Sequence, residues 1–150
     1  MVYELREGDT VVSCDPGKLE VDRIHAFLTA SYWAQGVSRE IVGRSIENSI
    51  PFGLYVAGEQ VGFARVITDR ASYAYLADVY VEEGHRGKGL SKVLMRAVMA
   101  HPELQGLRRW LLRTRDAHGL YRQFGFTELQ RSARWMEKAG SGLYEHEGRE

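Results

Sequence analysis

The stretch HRGKGLSKVLMRAVMAHPELQGL, residues 85–107, joins a basic, glycine-spaced loop to an amphipathic segment. The apolar residues of that segment recur at the spacing of one helical face, and they are Leu90, Val93, Leu94, Ala97 and Val98. The spacing predicts a helix that buries one stripe against a sheet. The first amides of a helix lack internal acceptors and lie at the positive end of its dipole. The loop before this helix is therefore a candidate anion site.

The glycines of the loop favour a phosphate-binding backbone. Without Cβ atoms at Gly84, Gly87 and Gly89, the chain can curl around a diphosphate, and Arg86 and Lys88 add positive charge. A turn that merely connects a strand to a helix has a similar composition. The residues of the loop, taken alone, leave both interpretations open.

Two better-known phosphate-binding loops do not fit. Gly84 and Gly89 have the spacing of a Walker loop, but Leu90 occupies the position that requires lysine. The dinucleotide fingerprint fails because Lys92 stands where the third glycine should follow Gly87 and Gly89. Neither a P-loop nucleotidase nor a dinucleotide-binding unit is predicted.

Length and composition predict one globular domain spanning residues 1–150, with 44% hydrophobic and 27% charged residues. Twenty basic and twenty acidic side chains balance, so no nucleic acid or anionic membrane is expected as a partner. The one cysteine, Cys14, suits a reducing compartment and has no metal-ligand spacing. Neither a signal peptide nor an apolar window of ~20 residues is recognisable, so we expect a cytoplasmic protein without a metal.

The periodicity of the remaining chain predicts helices before strands. Apolar residues from Val21 to Leu28 have helical spacing, and a second helix is predicted to begin after Ser38, an N-cap residue with Glu40 in the first turn. The aromatic segment SYWAQG, residues 31–36, forms the loop between them.

From Phe52 the apolar period changes to two. The runs FGLYV, VGFARVIT and SYAYLADVYV predict a three-stranded antiparallel meander. A strand at LRRWLLRT, residues 107–114, and a helix from about Asp116 to Phe124 are predicted beyond the glycine loop. The expected class is a mixed α/β sheet with helices packed on its faces.

Two motifs resemble those of one enzyme superfamily. RGKGLS at 86–91, between a strand and a helix, resembles the coenzyme A signature [QR]-x-x-G-x-[GA] of the GNAT N-acyltransferases. DAHGLYRQFGF at 116–126 resembles their A-x-x-x-Y-x-x-x-G-F segment, with matches at Ala117, Tyr121, Gly125 and Phe126. Both motifs stand in the expected order and spacing, and the likeness covers roughly residues 50–137.

The resemblance implies a fold and a division of the chain. The fold would be a largely antiparallel sheet of six to seven strands with about four helices, in which a splayed strand pair forms a cofactor slot. Residues 1–50 would supply acceptor-side helices, residues 51–137 the sheet and the coenzyme A core, and residues 138–150 a flexible tail.

The resemblance also implies acetyl-coenzyme A as cosubstrate. Its pyrophosphate would lie on the amides of residues 86–91 and its pantetheine along the strand that contains Val79. Two positions depart from the family pattern, because Ser91 replaces a glycine or alanine and Thr114 stands where many members have asparagine. The expected cofactor-binding residues are Val79, Val81, Arg86, Gly87, Lys88, Gly89, Leu90, Ser91, Thr114 and Ala117.

Two residues are candidates for catalysis. The resemblance makes Tyr121 the general acid, since a phenol with a pKa of about 10 is protonated at neutral pH, although its helical stripe also suits a core tyrosine. Asp78 is the candidate base, acting through water, and a structural aspartate is the alternative. Strand alternation predicts that Leu76, Asp78 and Tyr80 share one face. A backbone amide near Val79 would stabilise the oxyanion.

Acceptor recognition is assigned to Tyr32, Trp33, Asn48 and Arg65, and Arg65 pairs either with a substrate carboxylate or with Asp78. The predicted function is acetyl transfer to a primary amine of a small molecule, an amino-acid-like compound or a protein N-terminus, by direct attack through a tetrahedral intermediate. Two alternatives stay open: a non-catalytic acyl-coenzyme A sensor, and an interaction protein whose loop is only a turn. The sequence also leaves a homodimer open.

Overall fold

A computed structural model of the chain describes residues 2–140, so most of the tail predicted at 138–150 lies outside the described residues. A six-stranded sheet runs through the molecule, and its strands are neighbours in chain order. The strands are β1 (Glu4–Glu7), β2 (Thr10–Ser13), β3 (Ile50–Val56), β4 (Glu59–Thr68), β5 (Tyr73–Val81) and β6 (Arg109–Leu111). Strands β1 to β5 pair antiparallel and β6 runs parallel to β5. The predicted fold class is confirmed.

Four α-helices flank the sheet: α1 (Val21–Thr29), α2 (Arg39–Glu47), α3 (Leu90–Ala100) and α4 (His118–Arg122). The start of α2 is fixed as predicted, because the Ser38 hydroxyl accepts a hydrogen bond of 3.2 Å from the Ile41 amide. The start of α3 has no such cap. Its N-cap residue is Gly89, in the left-handed conformation, and no side chain caps it.

The helices divide two hydrophobic cores between the two faces of the sheet. Helix α3 covers one face with a fully buried stripe that includes Leu94 and Val98. Helices α1 and α2 cover the other face, where Ile24 and Val42 pack against Phe63 of β4. Because both faces are covered along the middle strands, those strands are held rigidly, and β5 carries residues into both cores.

A β-bulge interrupts β5 at Asp78. Asp78 has a φ of 55°, a left-handed conformation that aspartate tolerates better than most residues, and the pairing register with β4 shifts beside it. Leu76 therefore packs in the core under α3, whereas Tyr80 packs in the core under α1 and α2. The prediction that Leu76, Asp78 and Tyr80 share one face is wrong, because the extra residue reverses the alternation.

Three further elements differ from the sequence expectations. The hairpin of β1 and β2 occupies part of the region assigned to acceptor-side helices, and its four-residue strands are too short to show a period. Strand β6 has three residues instead of eight, because it pairs with β5 only from Tyr73 to Tyr75. Helix α4 has five residues instead of nine.

The helices are short and amphipathic. Within residues 2–140, none of the helices combines the length and the apolar character that a bilayer crossing requires. The apolar helical stripes are instead used against the sheet.

A pair of Gly→Ala variants tests the packing of β4 on β5. A Cβ at Gly62 would lie 2.7 Å from the Tyr80 carbonyl oxygen and 2.8 Å from Leu54 Cδ2, so the backbone must move. We expect Gly62→Ala to lower the free energy of unfolding by about 1–3 kcal/mol. Gly43→Ala, in α2, places a Cβ that contacts nothing within 4 Å beyond its chain neighbours and the backbone of its own helix, and it should raise this free energy by about 0.5–1 kcal/mol. Urea denaturation measures both, and equal effects would contradict this account of the sheet.

Candidate functional site

A slot opens where β5 and β6 stop pairing. The last paired residues are Tyr75 and Leu111, and beyond them a cavity of about 340 Å3 lies between residues 77–79 and residues 112–117. The loop between α1 and α2, together with α2 itself, closes the other side of the cavity. The predicted splayed strand pair is present, and its wall on β5 is the segment that contains the bulge.

Asp78 joins three elements at the floor of this slot. Its Oδ1 accepts a hydrogen bond of 2.9 Å from Trp33 Nε1, and its Oδ2 accepts one of 2.6 Å from Arg65 Nε. The side chains of Arg65 and Asp78 are only 17% and 12% exposed. The bulge turns Asp78 toward the α1–α2 loop and β4, so that Trp33 and Arg65 are held in fixed positions.

Tyr121 of α4 lines the same cavity. Burial is the main reason that the pKa of its phenol is raised to about 12, with smaller contributions from Tyr32 and Asp116. The ring packs edge-on to Phe126, with 6.0 Å between centroids. Within residues 2–140 the hydroxyl has no hydrogen-bond partner, so a protonated donor is available at the slot wall at neutral pH.

Tyr32 links the two sides of the slot mouth. The Arg115 guanidinium carbon lies 3.7 Å from the centroid of the Tyr32 ring, a cation–π contact. The ring also meets Trp33 edge-on, with 5.2 Å between centroids. The aromatic loop and the segment after β6 are thereby connected across the opening.

The glycine loop at the start of α3 has free backbone donors. Gly87 and Gly89 have φ values of 79° and 76°, and within residues 2–140 a Cβ built on either would contact no atom within 4 Å beyond the chain neighbours. Within the described part of the chain, the amides of residues 87–91 have no acceptor. Arg86 Nε donates to the Val81 carbonyl oxygen at 2.9 Å, which fastens the loop to the end of β5. The donors are therefore both exposed and held in place.

The structure brings most of the predicted site residues together. Those that line the slot are Tyr32, Trp33, Arg65, Asp78, Val79, Thr114, Ala117 and Tyr121. The Thr114 hydroxyl is already used, since it accepts a hydrogen bond of 2.9 Å from the Ala117 amide. Lys88 of the loop is exposed, and Ser91, in the first turn of α3, is partly exposed.

Three predicted residues lie elsewhere. Val81 packs in the core under α3, and the Leu90 side chain is buried in that same core, so Leu90 can offer a ligand only its backbone. Asn48 is exposed at the end of α2, where its Nδ2 donates to the Arg44 carbonyl oxygen at 2.9 Å, and it does not line the slot.

Sequence reasoning missed several lining residues, among them Tyr75, Val37 and Asp116. Asp116 had a signal, because it directly precedes Ala117 of the second motif. Tyr75 and Val37 had none, since their exposure to the slot depends on where β5 and β6 separate and on how the α1–α2 loop folds back.

A larger cavity of about 1040 Å3 runs along β6, α4 and the following segment. Its apolar walls include Trp110, Phe126 and Trp135. Tyr75 and Tyr121 line both cavities and so form part of the wall between them. Within residues 2–140, no group of three or more histidine, cysteine, aspartate or glutamate side chains is arranged to hold a metal ion.

Residues 50–128, more than half of the chain, match the family described as acetyltransferase (GNAT) domain. The chain belongs to the GNAT acetyltransferases. A Gibberella zeae protein assigned as an acetyltransferase is 33% identical over 76% of each chain. A Xanthomonas campestris crystal structure assigned to the GNAT family is 50% identical, with a TM-score of 0.87 over 90% of this chain and 96% of that one.

A more distant relative shows that the fold is shared at low identity. A Streptococcus pneumoniae GNAT-family acetyltransferase is 16% identical, with a TM-score of 0.62 over 93% of this chain and 97% of that one. With the family established, the chain is an acyltransferase enzyme.

Titration of Tyr121 tests the environment of the slot. Because its folded pKa is about 12 and an unfolded phenol has a pKa of about 10, the folded protein should keep this proton between those pH values. The free energy of unfolding should therefore fall as pH rises from about 10 to about 12. The phenolate absorbance of the protein minus that of Tyr121→Phe should rise only near pH 12, with circular dichroism confirming a folded chain. A rise near pH 10 would contradict the buried environment.

Proposed function

We propose that this enzyme transfers an acetyl group from acetyl-coenzyme A to a primary amine of a small molecule, an amino-acid-like compound or a protein N-terminus. The observation that carries the proposal is the open slot between β5 and β6, with Asp78 and Tyr121 on its walls. The cytoplasm is the location that the single, half-buried Cys14 suits. A homodimer remains a prediction.

The glycine loop fits the pyrophosphate of coenzyme A. Five consecutive amides, those of residues 87–91, have no acceptor within residues 2–140 and lie at the positive end of α3, where a doubly charged diphosphate fits. Gly87 and Gly89 leave the space above the backbone open, and the exposed Lys88 adds charge. The pantetheine would follow β5 beside Val79, where β6 no longer covers the edge of the strand.

Bound acetyl-coenzyme A supplies an acetyl group that is activated as a thioester. Transfer to an amine forms a C–N bond, breaks the C–S bond and moves one proton, overall, from nitrogen to sulfur. Tyr121 is the donor for the sulfur, because its phenol is protonated, lines the slot and has no competing partner in the described chain. The backbone amide of Val79 is the candidate donor to the carbonyl oxygen.

Asp78 is the candidate acceptor of the amine proton, through a water molecule. Each of its oxygens already accepts one hydrogen bond, from Trp33 and from Arg65, but a carboxylate oxygen has a second lone pair that water can use. The competing role is structural, in which Asp78 only fastens Trp33 and Arg65. If Asp78 is the base, Asp78→Asn should lower turnover and leave the affinity for the acceptor unchanged. A purely structural role does not predict this separation.

The pKa of the acceptor amine decides whether the reaction needs a strong general base. Deprotonation at pH 7 costs about 4–5 kcal/mol for a lysine-type amine with a pKa near 10.4, but only about 1 kcal/mol for an α-amine with a pKa near 7.7–8. An α-amine can thus react without a strong base. Because both oxygens of Asp78 already accept hydrogen bonds, from Trp33 and from Arg65, the site suits an α-amine better than a lysine-type amine.

Coenzyme A binding tests the loop. At about 100 times its dissociation constant, coenzyme A should raise the free energy of unfolding by about 2.7 kcal/mol. Gly89→Ala should reduce this gain, because alanine at a φ of 76° is strained by roughly 1–2 kcal/mol and moves the donors. Gly43→Ala is the control, since Gly43 lies in α2, outside the loop, and has no positive φ. Thermal melts measure both, and no gain in any protein would contradict the proposed loop function.

Acetyl transfer is tested by a panel of primary amines with acetyl-coenzyme A, with detection of the freed thiol. On the best acceptor, Tyr121→Phe should lower kcat by about 100-fold or more, as for loss of a general acid, and leave the dissociation constant of coenzyme A nearly unchanged. Tyr73→Phe, at an exposed tyrosine of β5, is the control and should behave as wild type.

Two outcomes would count against the proposal. Coenzyme A binding without turnover of any amine would favour a sensor over an enzyme acting on amines. Full activity of Tyr121→Phe would show that this tyrosine is a core residue and that the sulfur is protonated by another group.

A further inference from the structure

Arg65 presents unused hydrogen-bond donors to the slot. A guanidinium has five N–H donors, and the one on Nε is taken by Asp78. Within residues 2–140, neither Nη atom has a partner, and the side chain is only 17% exposed while lining the cavity. Neither Nη atom is among the described buried atoms that lack a partner, so water reaches both in the open slot, and a ligand that displaces this water must pair with them.

The pairing with Asp78 also fixes the orientation of the Arg65 guanidinium. Because Asp78 holds Nε, the guanidinium cannot rotate freely, and the edge that carries the Nη atoms is preorganised. Planar guanidinium edges bind carboxylates in a bidentate manner. Asp78 and Arg65 together carry no net charge, so an incoming carboxylate meets a neutral pair with donors on its open side.

The opposite wall of the cavity is largely apolar. The lining residues from α1, the α1–α2 loop and α2 include the apolar side chains Leu28, Ala34, Val37, Ile41 and Val42, beside Tyr32, Trp33 and the hydroxyl of Ser45. The cavity of about 340 Å3 is at the lower end of the range for small-molecule sites, which is roughly 300–1,000 Å3. It therefore offers room for a small acceptor with an apolar substituent rather than for a long chain.

We propose that the acceptor is an α-amino acid with an apolar side chain, whose carboxylate is bound by the Nη atoms of Arg65. This inference rests on the proposed acetyl transfer, and it narrows the acceptor class. A protein N-terminus is excluded by it, since the first residue of a peptide has an amide where a free amino acid has a carboxylate.

Matched ligands test carboxylate recognition without depending on catalysis. N-acetylleucine and N-acetylleucinamide differ only in that a carboxylate is replaced by a neutral amide of similar shape. We expect the carboxylate to bind about 10- to 100-fold more tightly, as for hydrogen bonds to a charged group. Calorimetry with and without saturating coenzyme A measures this ratio. Equal affinities in both conditions overturn the proposal, and this comparison needs no variant to fold.

Acetyl-transfer kinetics provide a second test of carboxylate recognition. Leucine, leucinamide and 3-methylbutylamine are compared as acceptors, with kcat/KM expressed per neutral amine. Arg65→Gln should lower kcat/KM for leucine about 10- to 100-fold more than for the other two. Arg44→Gln removes an exposed guanidinium that pairs with Glu40 on α2, and it should leave all three values unchanged.

The remaining outcomes separate this inference from the proposed function. Equal losses for all three acceptors in Arg65→Gln would show that Arg65 only positions Asp78, and the proposal would be wrong. A weakened affinity of Arg65→Gln for coenzyme A alone would likewise assign the free donors to the cosubstrate. Carboxylate preference in binding without turnover of any amine would support the inference and count against acetyl transfer to amines.

Discussion

The short pairing between β5 and β6 is the constraint on which the site depends. The two strands share only three residue pairs, ending at Tyr75 and Leu111, and then separate. A parallel pair that continued along β5 would close the slot and cover the edge of residues 77–79. Because helices on both faces hold β5 firmly, the separation leaves an open edge without loosening the sheet.

The bulge at Asp78 places a carboxylate at that open edge of β5. One residue in a left-handed conformation reverses the alternation of β5 and directs a carboxylate toward Trp33 and Arg65. The same distortion places Val79 on the slot wall. Backbone strain of this kind persists where the surroundings fix the residue, and at Asp78 two hydrogen bonds to its side chain do so.

Charge in this enzyme is organised locally rather than globally. The chain has no net formal charge, yet free amides gather at the start of α3, and a guanidinium with unused donors lies in the slot. Hydrogen-bond donors thus lie at the two places where we propose that anionic groups bind: the pyrophosphate at the start of α3 and the acceptor carboxylate at Arg65. Burial of Tyr121 raises the pKa of its phenol and keeps it protonated at neutral pH.

The sequence by itself determined the class of fold, the meander, helices α1 to α3, the glycine loop and the motif around Tyr121. These features are local, because periodicity, caps and glycine positions act over a few neighbouring residues. It also identified most of the residues that line the slot, although Asn48 and Val81 lie outside it.

Only the tertiary structure decided where β5 and β6 separate, that β5 bulges at Asp78, and that Arg65 pairs with Asp78 through Nε while its two Nη atoms have no partner among residues 2–140. The hairpin of β1 and β2 and the slot residues Tyr75 and Val37 also had no sequence signal. The physical reason is that strand pairing, bulges and ion-pair geometry depend on contacts between residues far apart in the chain, which no local pattern records.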